Sequence, residues 1–135
     1  MNKPTSPLAL ALALALAAPL GFAAGSADQE LTTATIHAQM AGDAANLATA
    51  TMHFHHVINC LVGSRDKRYD AKVGDPCTGM GNGVLNDLGH APAEHIKLEH
   101  AVAMLEQALH ADTVEAARQD AVRIAVALKQ AASTQ

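Results

Sequence analysis

The sequence predicts an all-α fold, a small bundle of four helices in which a long irregular segment, residues 63–91, joins the second helix to the third. Three observations carry this. Apolar residues recur at spacings of three and four along most of the chain, which gives each helix one buried face. The apolar content, 50% of residues, is rich in Ala and Leu while aromatics make up only 2%, so helices can pack closely and no stretch alternates as a strand would. Chain breakers gather between residues 63 and 91 rather than being spread at strand-like intervals.

The opening residues are read apart from the fold. Lys3 precedes an uncharged Leu–Ala run from Leu8 to Leu20, and small residues follow from Pro19 to Ala27. That is the layout of a secretory signal peptide, too short and wrongly flanked for a membrane span. Cleavage is expected between Ala23 and Ala27, leaving residues 28–135 as a single helical domain. No cysteine lies near the cut to carry a lipid, and the bacterial periplasm is the expected destination.

From about Asp28 to Val62 the chain reads as helix, with Ile36, Met40, Leu47, Ala50, Phe54, Val57 and Leu61 as a continuous seam. One helix of that length would be roughly 50 Å long, which favours a break. Gly42-Asp43 supplies a stop and an N-cap, giving helices over 28–41 and 43–62, although the unbroken phase of the seam argues for one. Gly63 to Asp70 is charged and turn-like, and Asp75 to Gly83 is dense in glycine. Helix resumes at Pro92, which suits a first turn, with His95, Leu98, Val102, Leu105 and Leu109 as its seam. Asp112 as N-cap, with Glu115 three residues on, opens the last helix, whose seam is Val114, Ala117, Ala121, Ile124 and Leu128. The short link between these two helices makes them antiparallel neighbours.

Charge and motifs exclude several functions. After residue 27 the chain carries eight basic against 13 acidic residues, so neither nucleic acid nor an anionic membrane surface is an expected partner. There is no Cys-x-x-Cys-His for covalent haem, no Glu-x-x-His of di-iron bundles, no His-Glu-x-x-His and no Gly-x-Ser-x-Gly. The glycine run 79–83 lacks the lysine and strand of a phosphate loop and reads as turns. Residues 66–70 do not meet the calcium-loop pattern. Nothing demands an enzyme, and monomer and homodimer are both open.

The chemistry lies in Met52-His53-Phe54-His55-His56-Val57-Ile58-Asn59-Cys60. On a helix, His53, His56 and Cys60 share one stripe at spacings of three and four, Met52 borders it, and His55 points elsewhere. Neutral imidazole is the commonest metal-ligand side chain, and sulfur adds affinity for soft ions. Cys60 and Cys77 form a disulfide by default in an oxidising compartment, closing a loop of about 17 residues and contributing on the order of 3 kcal/mol. The rival reading keeps Cys60 as a thiolate beside His53 and His56. If the helix from Pro92 runs antiparallel to the second helix, His95 comes level with His56, His100 with His53, and His90 sits at the mouth. The expected metal ligands are therefore His53 and His56, completed by His95, His90 or Met52, with His55 a further candidate. Pairs such as His90/Glu94, His95/Glu99 and Glu106/His110 read as solvated surface pairs. His37 with Met40, and His100 with Met104, are weaker soft-metal pairs whose methionines read as core, and His37 and His110 are expected to be dispensable for binding.

The segment His53 to Gly63, followed by Asp75-Pro76-Cys77 and glycines, resembles a group of small exported bacterial helical proteins. The likeness spans about residues 51–83 and implies no activity, ligand or partner, only that these histidines and cysteines form one recurring unit. The expected function is a periplasmic metal-binding protein, for copper or zinc, in sequestration, delivery or sensing. The alternatives are a b-type haem binder, for which Phe54 is thin lining, and a cofactor-free envelope interaction or stress module. Metal binding should weaken as pH falls through the imidazole range near ~6.5.

Overall fold

The computed structural model describes residues 24–133, with side chains from Ser26 onward; all but the last residues of the expected signal segment 1–27 lie outside these. The described residues form five helices and no strand: α1 (Ala24–Gly42), α2 (Leu47–Val62), the single turn α3 (Val84–Asp87), α4 (Pro92–Ala108) and α5 (Val114–Ala132). Helix α1 packs on α2 and α5, α4 packs on α5 and α2, and α3 rests against α1, α2 and α4. No helix among the described residues is long and apolar enough to cross a membrane.

On α1 the buried stripe is Ala27, Leu31, Ala34, Ala38 and Ala41. The expected seam through Ile36 and Met40 is out of phase, for these are 49% and 43% exposed. The physical reason is size. An alanine stripe lets the backbones of α2 and α5 close onto α1, whereas the bulkier residues would hold them apart.

The chain does break after Gly42, but α2 opens four residues later than expected. Asn46 is its cap: the backbone there is extended (φ −148°, ψ 164°), and its Oδ1 accepts the Thr49 amide at 2.9 Å. Asp43 instead continues the end of α1, its N–H donating to the Gln39 carbonyl. Arg118 of α5 pins the intervening turn, donating to the Ala44 carbonyl at 2.8 and 3.2 Å. The seams of α2, α4 and α5 are buried as expected at Ala50, Phe54, Val57, Leu61, Leu98, Val102, Leu105, Ala117, Ala121, Ile124 and Leu128. Pro92 opens α4. The last helix is capped by Thr113, whose side chain accepts the Ala116 amide, and not by Asp112.

Residues 63–91 are ordered by four ties. Cys60 and Cys77 form a disulfide, Cα atoms 5.3 Å apart. Asn59, buried on α2, donates to the carbonyls of Asp70 and Gly74 at 2.9 and 2.7 Å and accepts the Asp70 amide. The chain then crosses itself at Gly63 (φ +72°) and Gly83 (φ +100°), where a Cβ on either would enter the backbone of the other segment. Buried Glu30 of α1 accepts the Gly83 amide at 2.8 Å through Oε1. Helix α3 follows directly from this crossing, so the segment expected to be wholly irregular contains a helical turn.

Candidate metal centre

His53 and His56 do share a stripe of α2, and the helix that covers this stripe is α1. The short turn 43–46 folds α1 back along α2, which brings His37 level with His53. The three imidazoles aim the same nitrogen at a common point. His37 Nδ1 lies 3.1 Å from His53 Nδ1 and 3.2 Å from His56 Nδ1. All three ligand atoms fall within 4.8 Å of one another. The rings stand at 48°, 90° and 70° to each other, so the nitrogens converge by their edges and the faces do not stack.

His56 Nε2 lies 2.8 Å from the Val73 carbonyl oxygen. A carbonyl can only accept, so Nε2 carries the hydrogen and, in the neutral ring, Nδ1 is left with a lone pair facing the cluster. Burial, followed by the neighbouring imidazoles of His56 and His53, lowers the His37 pKa to about 4. Burial and then His56 lower that of His53 as well. At neutral pH both rings are therefore uncharged, the form that ligates metals.

Three imidazole nitrogens this close suit a single ion once each turns a lone pair to it. Tetrahedral Zn–N bonds of 2.0–2.1 Å place neighbouring nitrogens about 3.3 Å apart, within a few tenths of an ångström of the two distances from His37 Nδ1. Three protein ligands leave a fourth position for water or an incoming group.

Other residues named from the sequence lie elsewhere. His95 is half-buried in the first turn of α4 and His90 is exposed just before it, and both line a shallow groove with Pro92 and Ile96. Neither belongs to the three-histidine group, because α1 rather than α4 supplies the partner for that stripe. Met52 is 38% exposed. His55 faces the loop: its Nδ1 is buried without a hydrogen bond and stands 3.9 Å from Asp70 Oδ2. Cys60 is committed to its disulfide and cannot serve as a thiolate ligand in this state. Met40 is exposed and so is not core, whereas Met104 packs against the core as expected. The sequence reading missed His37. Its signal was available in the spacing, because His37 and His53 stand within one residue of equally far from the middle of the turn, but the sequence reading placed the third ligand on the helix that opens at Pro92. Comparison with protein-family models, with curated proteins and with solved structures gave no match to this chain.

Proposed function

We propose that this chain is an exported metal-binding protein that holds one Zn²⁺ or Cu²⁺ ion between α1 and α2 and passes it on or withholds it, outside the cytoplasm. The observation that carries the reading is the convergence of the Nδ1 atoms of His37, His53 and His56. An all-imidazole donor set suits zinc and copper(II) and lacks the sulfur that favours copper(I), and copper(II) should bind more tightly than zinc. The open fourth position supports exchange, since an incoming ligand can enter before the ion leaves. The disulfide is compatible with an oxidising compartment.

Haem fits less well. Two axial nitrogens on one iron stand on opposite sides of it, about two bond lengths or roughly 4 Å apart, with the macrocycle between them. Here the nitrogens crowd one point. Titration calorimetry with zinc and with copper(II), backed by elemental analysis, tests the proposal: one ion per chain is expected, lost when His37, His53 and His56 are changed together to Ala. A Soret band with no stoichiometric metal would favour haem. Neither signal would favour the cofactor-free module.

A further inference from the structure

His56, Asn59 and Cys60 lie at spacings of three and one on α2, and all three grip the same stretch of chain. His56 Nε2 bonds the Val73 carbonyl, Asn59 bonds Asp70 and Gly74, and Cys60 is joined to Cys77. Residues 70–77 thus form a strap across this face. Asp75 Oδ1 accepts the Cys77 amide at 2.9 Å, which shapes the strap's end next to the sulfur. The strap is hydrogen-bonded to the metal centre through the Val73 oxygen, and that atom decides which nitrogen of His56 carries the hydrogen.

We propose that the Cys60–Cys77 disulfide is a redox control on the metal centre, acting through the strap and the Val73 carbonyl on His56. This rests on the metal-binding reading above. With the disulfide closed, Val73 holds His56 as the Nε2–H tautomer and leaves Nδ1 free for the ion. A dithiol reductant gives two electrons and two protons to the bond, becomes a disulfide itself, and leaves Cys60 and Cys77 as thiols. The strap is then held only by the hydrogen bonds of Asn59 and His56, the Val73 carbonyl loses its covalent anchor and withdraws more readily, and His56 is freer to place its hydrogen on Nδ1 or to turn its ring. Loss of a hydrogen-bond partner outside the ligand set typically lowers metal affinity 10- to 100-fold. The linkage is reciprocal: an ion that prefers the oxidised form protects the disulfide by the same factor.

The test has three readouts. In the metal-free wild type, long-range nitrogen–proton NMR should show His56 as the Nε2–H tautomer, and the Cys60→Ala/Cys77→Ala variant should show a mixture. Alanine is used because paired thiols beside Asp75 could themselves take zinc. Zinc affinity of that variant should fall at least tenfold with helical dichroism unchanged. In the wild type, which needs no substitution, the initial rate of disulfide reduction by a water-soluble phosphine should drop several-fold with zinc bound. If zinc binds the wild type but affinity, tautomer and reduction rate are all indifferent, the redox coupling is overturned and the metal site stands. If the wild type binds no stoichiometric zinc or copper, the metal reading falls and this proposal with it.

Discussion

His37 and His53 stand sixteen positions apart in the chain and bring their Nδ1 atoms to 3.1 Å. The pair belongs to two helices joined by the turn 43–46, so its geometry is set by where that turn begins and ends. Lengthening or shortening the turn would slide one ring past the other, at about 1.5 Å of helix rise per residue.

The first consequence concerns which histidines matter. Changing His37 alone to Ala should lower zinc or copper(II) affinity at least as much as changing His53, because it removes the nitrogen nearest both others. Changing His90 and His95 together should leave affinity within about twofold of the wild type. Calorimetric titration of the three proteins checks this. Equal losses in all of them would mean that binding is spread over the surface.

In the metal-free protein the histidine cluster should make stability fall with acid. The folded pKa of His37, about 4, lies below its ordinary 6.5, and that of His53 is lowered too. The unfolded chain therefore binds more protons in that window, and the contribution is complete above ~6.5 and lost as pH falls toward about 4. Metal binding to the folded protein should persist further into acid than unperturbed imidazoles would allow, weakening as pH falls toward the His37 value of about 4. Urea midpoints and zinc titrations at several pH values would show it. A His37→Ala/His53→Ala variant should lose most of the acid slope in stability.

Glu30 acts with the opposite sign. Its burial, helped by the nearby Asp87 and Asp75 and opposed by the Gly83 N–H, raises its pKa from 4.5 to about 7. The folded state holds the extra proton, so this contribution is complete below about 4.5 and is lost as pH rises through about 7. Glu30→Gln keeps an oxygen for the Gly83 amide and carries no charge. It should match the wild type near pH ~4 and exceed its stability by roughly 3 kcal/mol well above neutrality, about 1.4 kcal/mol for each pKa unit. The two groups partly cancel in the wild type. The histidine variant should therefore keep only the Glu30 slope, losing stability as pH rises, and Glu30→Gln only the histidine slope, losing stability as pH falls, in parallel unfolding curves.

Gly83→Ala should destabilise the fold by at least about 2 kcal/mol. It adds a methyl group where the backbone has φ +100° and where Gly63 already lies in contact. Denaturant unfolding measures the loss. A cost under about 0.5 kcal/mol would mean that the crossing relaxes freely.

The sequence is legible where burial follows size. Phe54, Leu61, Leu98, Leu105, Ile124 and Leu128 are all large and all buried, so the faces of α2, α4 and α5 could be read from periodicity. On α1 the rule inverts, since Ala34 and Ala38 are buried while Ile36 and Met40 face outward. Hydropathy ranks isoleucine above alanine, but close helix packing selects for smallness, and no property of α1 alone records which neighbours it has. His53 and His56 were found because both lie on one helix, where spacing suffices. The third nitrogen comes from another helix, and the sequence reading looked for it on α4. Caps were misplaced by one to three residues, Asp43 for Asn46 and Asp112 for Thr113, because several oxygen-bearing side chains compete near each helix start and backbone dihedrals decide between them. The Cys60–Cys77 pairing needed only the count of two cysteines.

The disulfide also governs what a protease would leave behind. Arg65 and Lys72 are exposed and fall between Cys60 and Cys77. A trypsin cut after either one severs the main chain inside the covalent loop, so the two pieces stay joined through sulfur. They remain clasped a second time where Gly63 crosses Gly83. Such a nicked molecule would travel as one species on a non-reducing gel and come apart only with reductant, its ligand-bearing helices α1 and α2 still on a single uncut fragment.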